Sequence, residues 1–138
     1  MSREPVKPPK MGGLRIRARW FQVVGILIVL QFILGGLVSN DLIVPLYHIV
    51  LGFAVLAITL AILVIAVTSK ASLCSLKLSS GVLLVLVFLQ IPLGFAILDN
   101  TSTLLAVAHV LNAVAILLTT FASYFVARRW EKKSAPVE

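Results

Sequence analysis

Charge is scarce in this chain, and it is missing altogether over long intervals. Only 12% of the 138 residues are charged, five of them acidic and twelve basic. Uncharged stretches of 21, 28, 21 and 28 residues separate Arg19 from Asp41, Asp41 from Lys70, Lys77 from Asp99 and Asp99 from Arg128. No aqueous domain fits between these runs. The net charge of +7 is therefore a topology signal with some attraction to anionic lipid, and no nucleic-acid partner is expected. Cysteine is nearly absent too, since Cys74 stands alone. It can form no internal disulfide, and no role is assigned to it. Histidine is limited to His48 and His109.

What fills the intervals is apolar. Hydrophobic residues make up 60% of the chain, well above the share in a soluble domain. Each run meets the roughly 20 residues that a helix needs to cross about 30 Å of hydrocarbon. A transmembrane barrel would need polar residues alternating along each strand, and no such alternation occurs. The fold class expected is therefore an all-α integral membrane protein, a four-helix transmembrane bundle. The spans are placed at Arg19 to Val38, Leu42 to Ser69, Leu78 to Leu98 and Thr103 to Ala127.

All twelve Lys and Arg lie in the N-terminal tail, in the connection carrying Lys70 and Lys77, or in the C-terminal tail, whereas the other two connections carry Asp41 and Asp99. The positive-inside rule then puts both termini in the cytoplasm. The expected organisation is a basic cytoplasmic tail over 1–18, a transmembrane domain over 19–127 and a second cytoplasmic tail over 128–138. The location expected is the plasma membrane of a prokaryote, as a multi-pass protein with lipid as its first partner. Pro5, Pro8, Pro9, Gly12 and Gly13 make the start of the chain an extended or flexible tail. A basic start followed by an apolar run also resembles a secretion signal. The run is long for that purpose, and a signal would remove the first member of the repeat described next.

The two halves of the chain correspond, repeat 1 covering about 19–70 and repeat 2 about 77–128. Arg19, Asp41 and Lys70 recur as Lys77, Asp99 and Arg128, and LQFILGGL from Leu30 recurs as LQIPLGFA from Leu89. Gln31 thus matches Gln90, Gly35 matches Gly94, and His48 matches His109. Shared Leu and Val count for little in apolar helices; shared Gln, Gly, His and charge count for more. Two tandem helical hairpins, each returning to the side it started from, are related by a twofold along the membrane normal. That operation sets the second and fourth helices face to face, as in four-helix bundles that hold cofactors between facing side chains.

An ionisable group inside hydrocarbon is costly and marks a functional site by default. Two imidazoles at matching depth suit a haem iron, and bis-imidazole ligation leaves no open position, which favours electron transfer over oxygen chemistry. One haem per chain is expected, haem B first, held by His48 and His109 as metal ligands. Gly35, Gly94 and Gly52 would let a flat macrocycle lie close to the helices. Its propionates would find the amino ends of the second and fourth helices with Ser39, Asn40, Asn100, Thr101, Ser102 and Thr103. Pro92 inside the third span is expected to bend it. The competing reading is a purely structural polar network joining the histidines to Tyr47, Asn112, Gln31 and Gln90. Zinc or copper is disfavoured, because no carboxylate, thiol or third histidine shares their depth.

A Leu-Gln run ending in Leu-Gly, with a histidine 17 to 19 residues after the glutamine, resembles the heme A synthase family. The resemblance covers about Phe21 to Val126 and implies one four-helix half of a protein whose usual members have two such halves, each with a haem between two histidines. The catalytic half of that family carries a glutamate three residues before the first histidine and an arginine just after it; here Pro45 and Ile49 stand there. The family's cysteine pair in the first outer loop is also missing, that connection being Ser39, Asn40 and Asp41. The chain is thus closer to the cofactor-holding half. The function implied is electron transfer, or service as an accessory or assembly subunit of a terminal oxidase in a respiratory chain. The alternatives are a half-size heme A synthase acting as a dimer of two copies, and a haem-free structural subunit of a respiratory complex.

Overall fold

Hydrocarbon offers no partner to a backbone N–H or C=O, so each apolar run must satisfy its own peptide groups. The computed structural model, which describes residues 17–69, 74–99 and 102–133, resolves that requirement into four helices. They are α1 (Ala18–Ser39), α2 (Leu46–Thr68), α3 (Cys74–Asp99) and α4 (Thr103–Lys133). All four are long and apolar enough to span a membrane, and the chain is a multi-pass membrane protein. The tail over 1–16, the connection over 70–73 with Lys70, the pair Asn100 and Thr101, and the end of the chain over 134–138 lie outside the described residues.

The helix limits depart from the uncharged runs in physically interpretable ways. Cys74 is the first residue of α3 and exposed, rather than part of the preceding connection. α4 continues past Ala127 to Lys133, carrying basic residues beyond the apolar run. α2 begins at Leu46 instead of Leu42, with Pro45 at its N-cap. A proline fits there because its missing N–H would have had no helical partner. Residues 40–45 are used to end α1. The N–H of Asp41 donates to the Val38 carbonyl at 3.0 Å and that of Leu42 to the Leu37 carbonyl at 2.9 Å. With Asp41 at φ 57°, this is a Schellman closure in which aspartate occupies the left-handed position usually given to glycine. Pro92 lies on the exposed side of α3, which runs as one helix through it from Cys74 to Asp99.

α1 packs beside α2 and α4, and α3 beside the same two, so α2 and α4 stand diagonally across the bundle. The fully buried positions form one stripe per helix: Phe21, Val24 and Ile28 on α1; Val55, Thr59, Ile62 and Ala66 on α2; Leu76, Ser80, Leu83 and Val87 on α3; Ile116, Thr120, Ser123 and Ala127 on α4. Alternating steps of three and four residues are the spacing of antiparallel helices that interlock along a shallow crossing. Thr59, Thr120 and Ser123 return their hydroxyls to carbonyls of their own helices, which keeps these polar atoms satisfied inside the packing.

This dry core occupies only the end of the bundle where α1 and α3 begin and α2 and α4 finish. Arg17, Arg19, Lys77, Arg128 and Arg129 are at that end. There Glu131 accepts a hydrogen bond from the Ala18 N–H at 3.0 Å, and Tyr124 accepts from both Gln22 and Arg128. Toward the Asp41 and Asp99 end, no described residue over 29–54 or 88–115 is fully buried. The packing there opens around a cavity.

Candidate functional site

The buried stripes continue into the open end without changing step, and they carry the candidate residues with them. On α2 the positions 66, 62, 59 and 55 lead on to Gly52 and His48; on α4 the positions 127, 123, 120 and 116 lead on to Ala113 and His109. The same is true of Gln31 and Gly35 beyond Ile28, and of Gln90 and Gly94 beyond Val87. Helical period alone therefore turns both histidines toward the axis of the bundle. His48 is the third residue of α2 and His109 the seventh of α4. Their ring centroids are 6.2 Å apart, with the planes inclined at 48°.

Each imidazole rests against a glycine of the preceding helix. A Cβ built on Gly35 would come within 3.3 Å of His48 Cε1, and one built on Gly94 within 3.3 Å of His109 Cε1. Nδ1 of each ring is buried on that side, without a hydrogen-bond partner. The glycines thus seat the rings. Gly52 serves differently, since a Cβ there would meet Gln31 Nε2 at 3.0 Å.

The glutamines brace the histidine backbones. Gln31 Nε2 donates to the His48 carbonyl at 3.1 Å, and Gln90 Nε2 to the His109 carbonyl at 3.0 Å. A structural polar network does exist, but it reaches the histidines through their carbonyls. Asn112 belongs to it, donating to Gln90 Oε1 at 2.5 Å and to the Leu86 carbonyl at 2.9 Å. Tyr47 does not, being 62% exposed on the outer face of α2. Sequence matching pairs the two glutamines without disclosing that each grips the carbonyl of its own repeat's histidine. The signal lies in position: each falls on a buried stripe one turn before the glycine that seats the ring.

The cavity around the rings has a volume of about 480 Å³ and is lined from all four helices. That is within the range of small-molecule and cofactor sites. Its walls are mainly aliphatic and aromatic, and among the described residues that line it the histidines are the only ionisable side chains. Pro45, Ile49 and Ser39 also line it. Ser39 Oγ and Asn40 Nδ2 both donate to the Gly36 carbonyl, at 3.0 and 2.8 Å. Asn100 and Thr101 lie outside the described residues. Among the described residues, no group of three or more His, Cys, Asp or Glu side chains converges to hold a metal ion. No protein-family model, no curated protein and no solved structure matches this chain.

Proposed function

We propose that the chain is a membrane haem protein in which His48 and His109 ligate one iron, serving electron transfer or a terminal oxidase as an accessory subunit. The observation that carries this reading is the 6.2 Å between the imidazole centroids across a cavity. Two metal–nitrogen bonds of about 2 Å, with a ring radius of roughly 1 Å at each end, span about 6 Å. Two protein nitrogens are too few for a structural zinc site, which takes four protein ligands. They are the full protein complement for an iron whose other four ligands come from a porphyrin. With Nδ1 of each ring turned to a glycine and buried, Nε2 is the atom left to ligate.

His48 and His109 would hold the group, with Gly35 and Gly94 fixing ring position and the apolar walls excluding water. When bound, a haem would supply one-electron redox chemistry there. Pro45 and Ile49 stand where the catalytic half of heme A synthase has a glutamate and an arginine, which favours a cofactor-holding role. In this reading the matched Gln, Gly and His contacts are those of two tandem hairpin repeats, and the chain is related to one half of that family. The basic end faces the cytoplasm of a prokaryotic cell, so both termini are inside and the iron sits in the outer half of the membrane.

The test is the visible spectrum of the purified protein beside His48→Ala and His109→Ala. The wild type is expected to show a low-spin haem B spectrum at one haem per chain, and each variant is expected to lose it. A colourless wild type, or two variants that both keep the low-spin bands, would overturn the assignment.

A further inference from the structure

The cavity has two long sides where it can meet lipid, and they differ at a pair of matching positions. His48 leans on α1 and His109 on α3, so the line between the rings runs from one hairpin to the other. A flat ligand held crosswise to that line lies between the hairpins, with its edges toward the α1–α4 and α2–α3 gaps. Gln31 and Gly35 face α2; Gly36, about 100° further round the helix, turns toward α4. Gly25 confirms that direction, because it lies three turns away on the same face and a Cβ there would be 3.8 Å from Thr120 Cγ2. At Gly36, in contrast, a Cβ would meet nothing within 4 Å. α1 and α4 are thus in touch at Gly25 and apart at Gly36. Gly36 lines the cavity and is exposed.

The corresponding place on α3 is taken by Phe95. Gln90 and Gly94 face α4, so Phe95, again about 100° on, turns toward α2. It also lines the cavity, filling with a phenyl ring the side that glycine leaves open opposite. At this position the α1–α4 side carries a glycine and the α2–α3 side a phenyl ring, although the Gln and Gly residues just before them correspond.

We propose that the α1–α4 gap at Gly36 is the lateral portal through which the cavity takes a flat, apolar tetrapyrrole from the bilayer. This rests on the haem reading above and adds a route and a direction to it. Gly36 lies in the last turn of α1, just below Ser39 and Asn40, whose side chains hold its carbonyl, so the gap lies at the outer edge of the apolar span and opens sideways between two helices. Phe95 closes the second route and gives the site one mouth.

The experiment starts from a Cys74→Ser background, Cys74 being at the other end of the bundle, with Gly36→Cys added. The open space at Gly36 accommodates the new side chain, and the apoprotein is folded in lipid nanodiscs before any block is applied. Haem is then added, and growth of the low-spin band is followed with the thiol free or capped by a bulky maleimide. Because the cap is attached after folding, misfolding cannot imitate the result. Capping is expected to slow uptake by about tenfold or more, as for association that must wait on a conformational change. Phe95→Gly, in a separate sample, is expected to speed uptake. Equal rates with the thiol free and capped overturn the portal while leaving the haem site standing. A parent protein that takes up no haem at all overturns both.

Discussion

His48 and His109 bring their rings to within 6.2 Å of each other although their helices stand diagonally across the bundle and are not packed together. In a dry bundle, side chains of a diagonal pair are separated by the residues of the helices between. Here the intervening helices present Gly35 and Gly94 at that level, and the imidazoles fill the room that larger residues would take. Nδ1 of both rings is buried, and the glutamines bond the histidine carbonyls.

The seats of the rings give the first prediction. Gly35→Ala and Gly94→Ala each place a methyl group 3.3 Å from a ring carbon, tight enough to displace the imidazole by a few tenths of an ångström. Ligand geometry should suffer before the fold does. Haem affinity, measured by titrating the apoprotein, is expected to fall by about 10- to 100-fold, the usual cost of disturbing a residue that orients a metal ligand. Gly36→Ala, with nothing within 4 Å, is expected to leave the equilibrium affinity unchanged. Equal affinities for all three variants would show that the glycines do not set the rings.

Much of this arrangement is legible from residue order. Uncharged runs bounded by Asp and basic residues give four spans, and the placement of His48 and His109 after matched Gln and Gly residues singles out the site. The three- and four-residue steps leading from Ala66 to His48 and from Ala127 to His109 carry the further information that both rings face inward. Other features depend on tertiary contact. Whether Gln31 bonds a ring nitrogen or a carbonyl is decided by how closely α1 approaches α2 at Gly52. The late start of α2 follows from the closure of α1, where Leu42 is spent on a hydrogen bond to Leu37. α3 runs as one helix through Pro92, which lies on its exposed side.

That closure supplies the second prediction. Asp41 holds a left-handed backbone conformation at φ 57°, which glycine adopts without the steric penalty a Cβ brings. Asp41→Gly is expected to raise thermal stability in detergent modestly, by about 0.5–1 kcal/mol, the scale on which glycine and other residues differ in backbone preference. Asp41→Val, β-branched and ill-suited to that region, is expected to lower it by more. Haem content should not change in either. A Val variant as stable as the wild type would mean that the turn relaxes into another conformation.

The two halves differ at Asn112, and that difference is the basis of the third prediction. Gln90 Oε1 accepts a hydrogen bond from Asn112, three residues after His109; three residues after His48 the chain has Leu51, and Gln31 Oε1 is buried with no partner. Leu51→Asn should therefore supply the missing donor, with its amide in position to reach both Gln31 and the backbone of α1. Interhelical hydrogen bonds in membranes contribute about 0.6 kcal/mol on average. The same variant gives up a half-buried leucine, so the net gain is expected only where Gln31 is present to receive it. Measured as a double-mutant cycle of thermal or denaturant stability, Leu51→Asn should stabilise the wild type relative to its effect in a Gln31→Leu background. Asn112→Leu should show the mirror-image coupling with Gln90→Leu. Zero coupling at Leu51 beside a clear coupling at Asn112 would mean that α1 and α2 cannot close the distance that α3 and α4 close, and that the first hairpin is held by the Gln31 to His48 carbonyl contact alone.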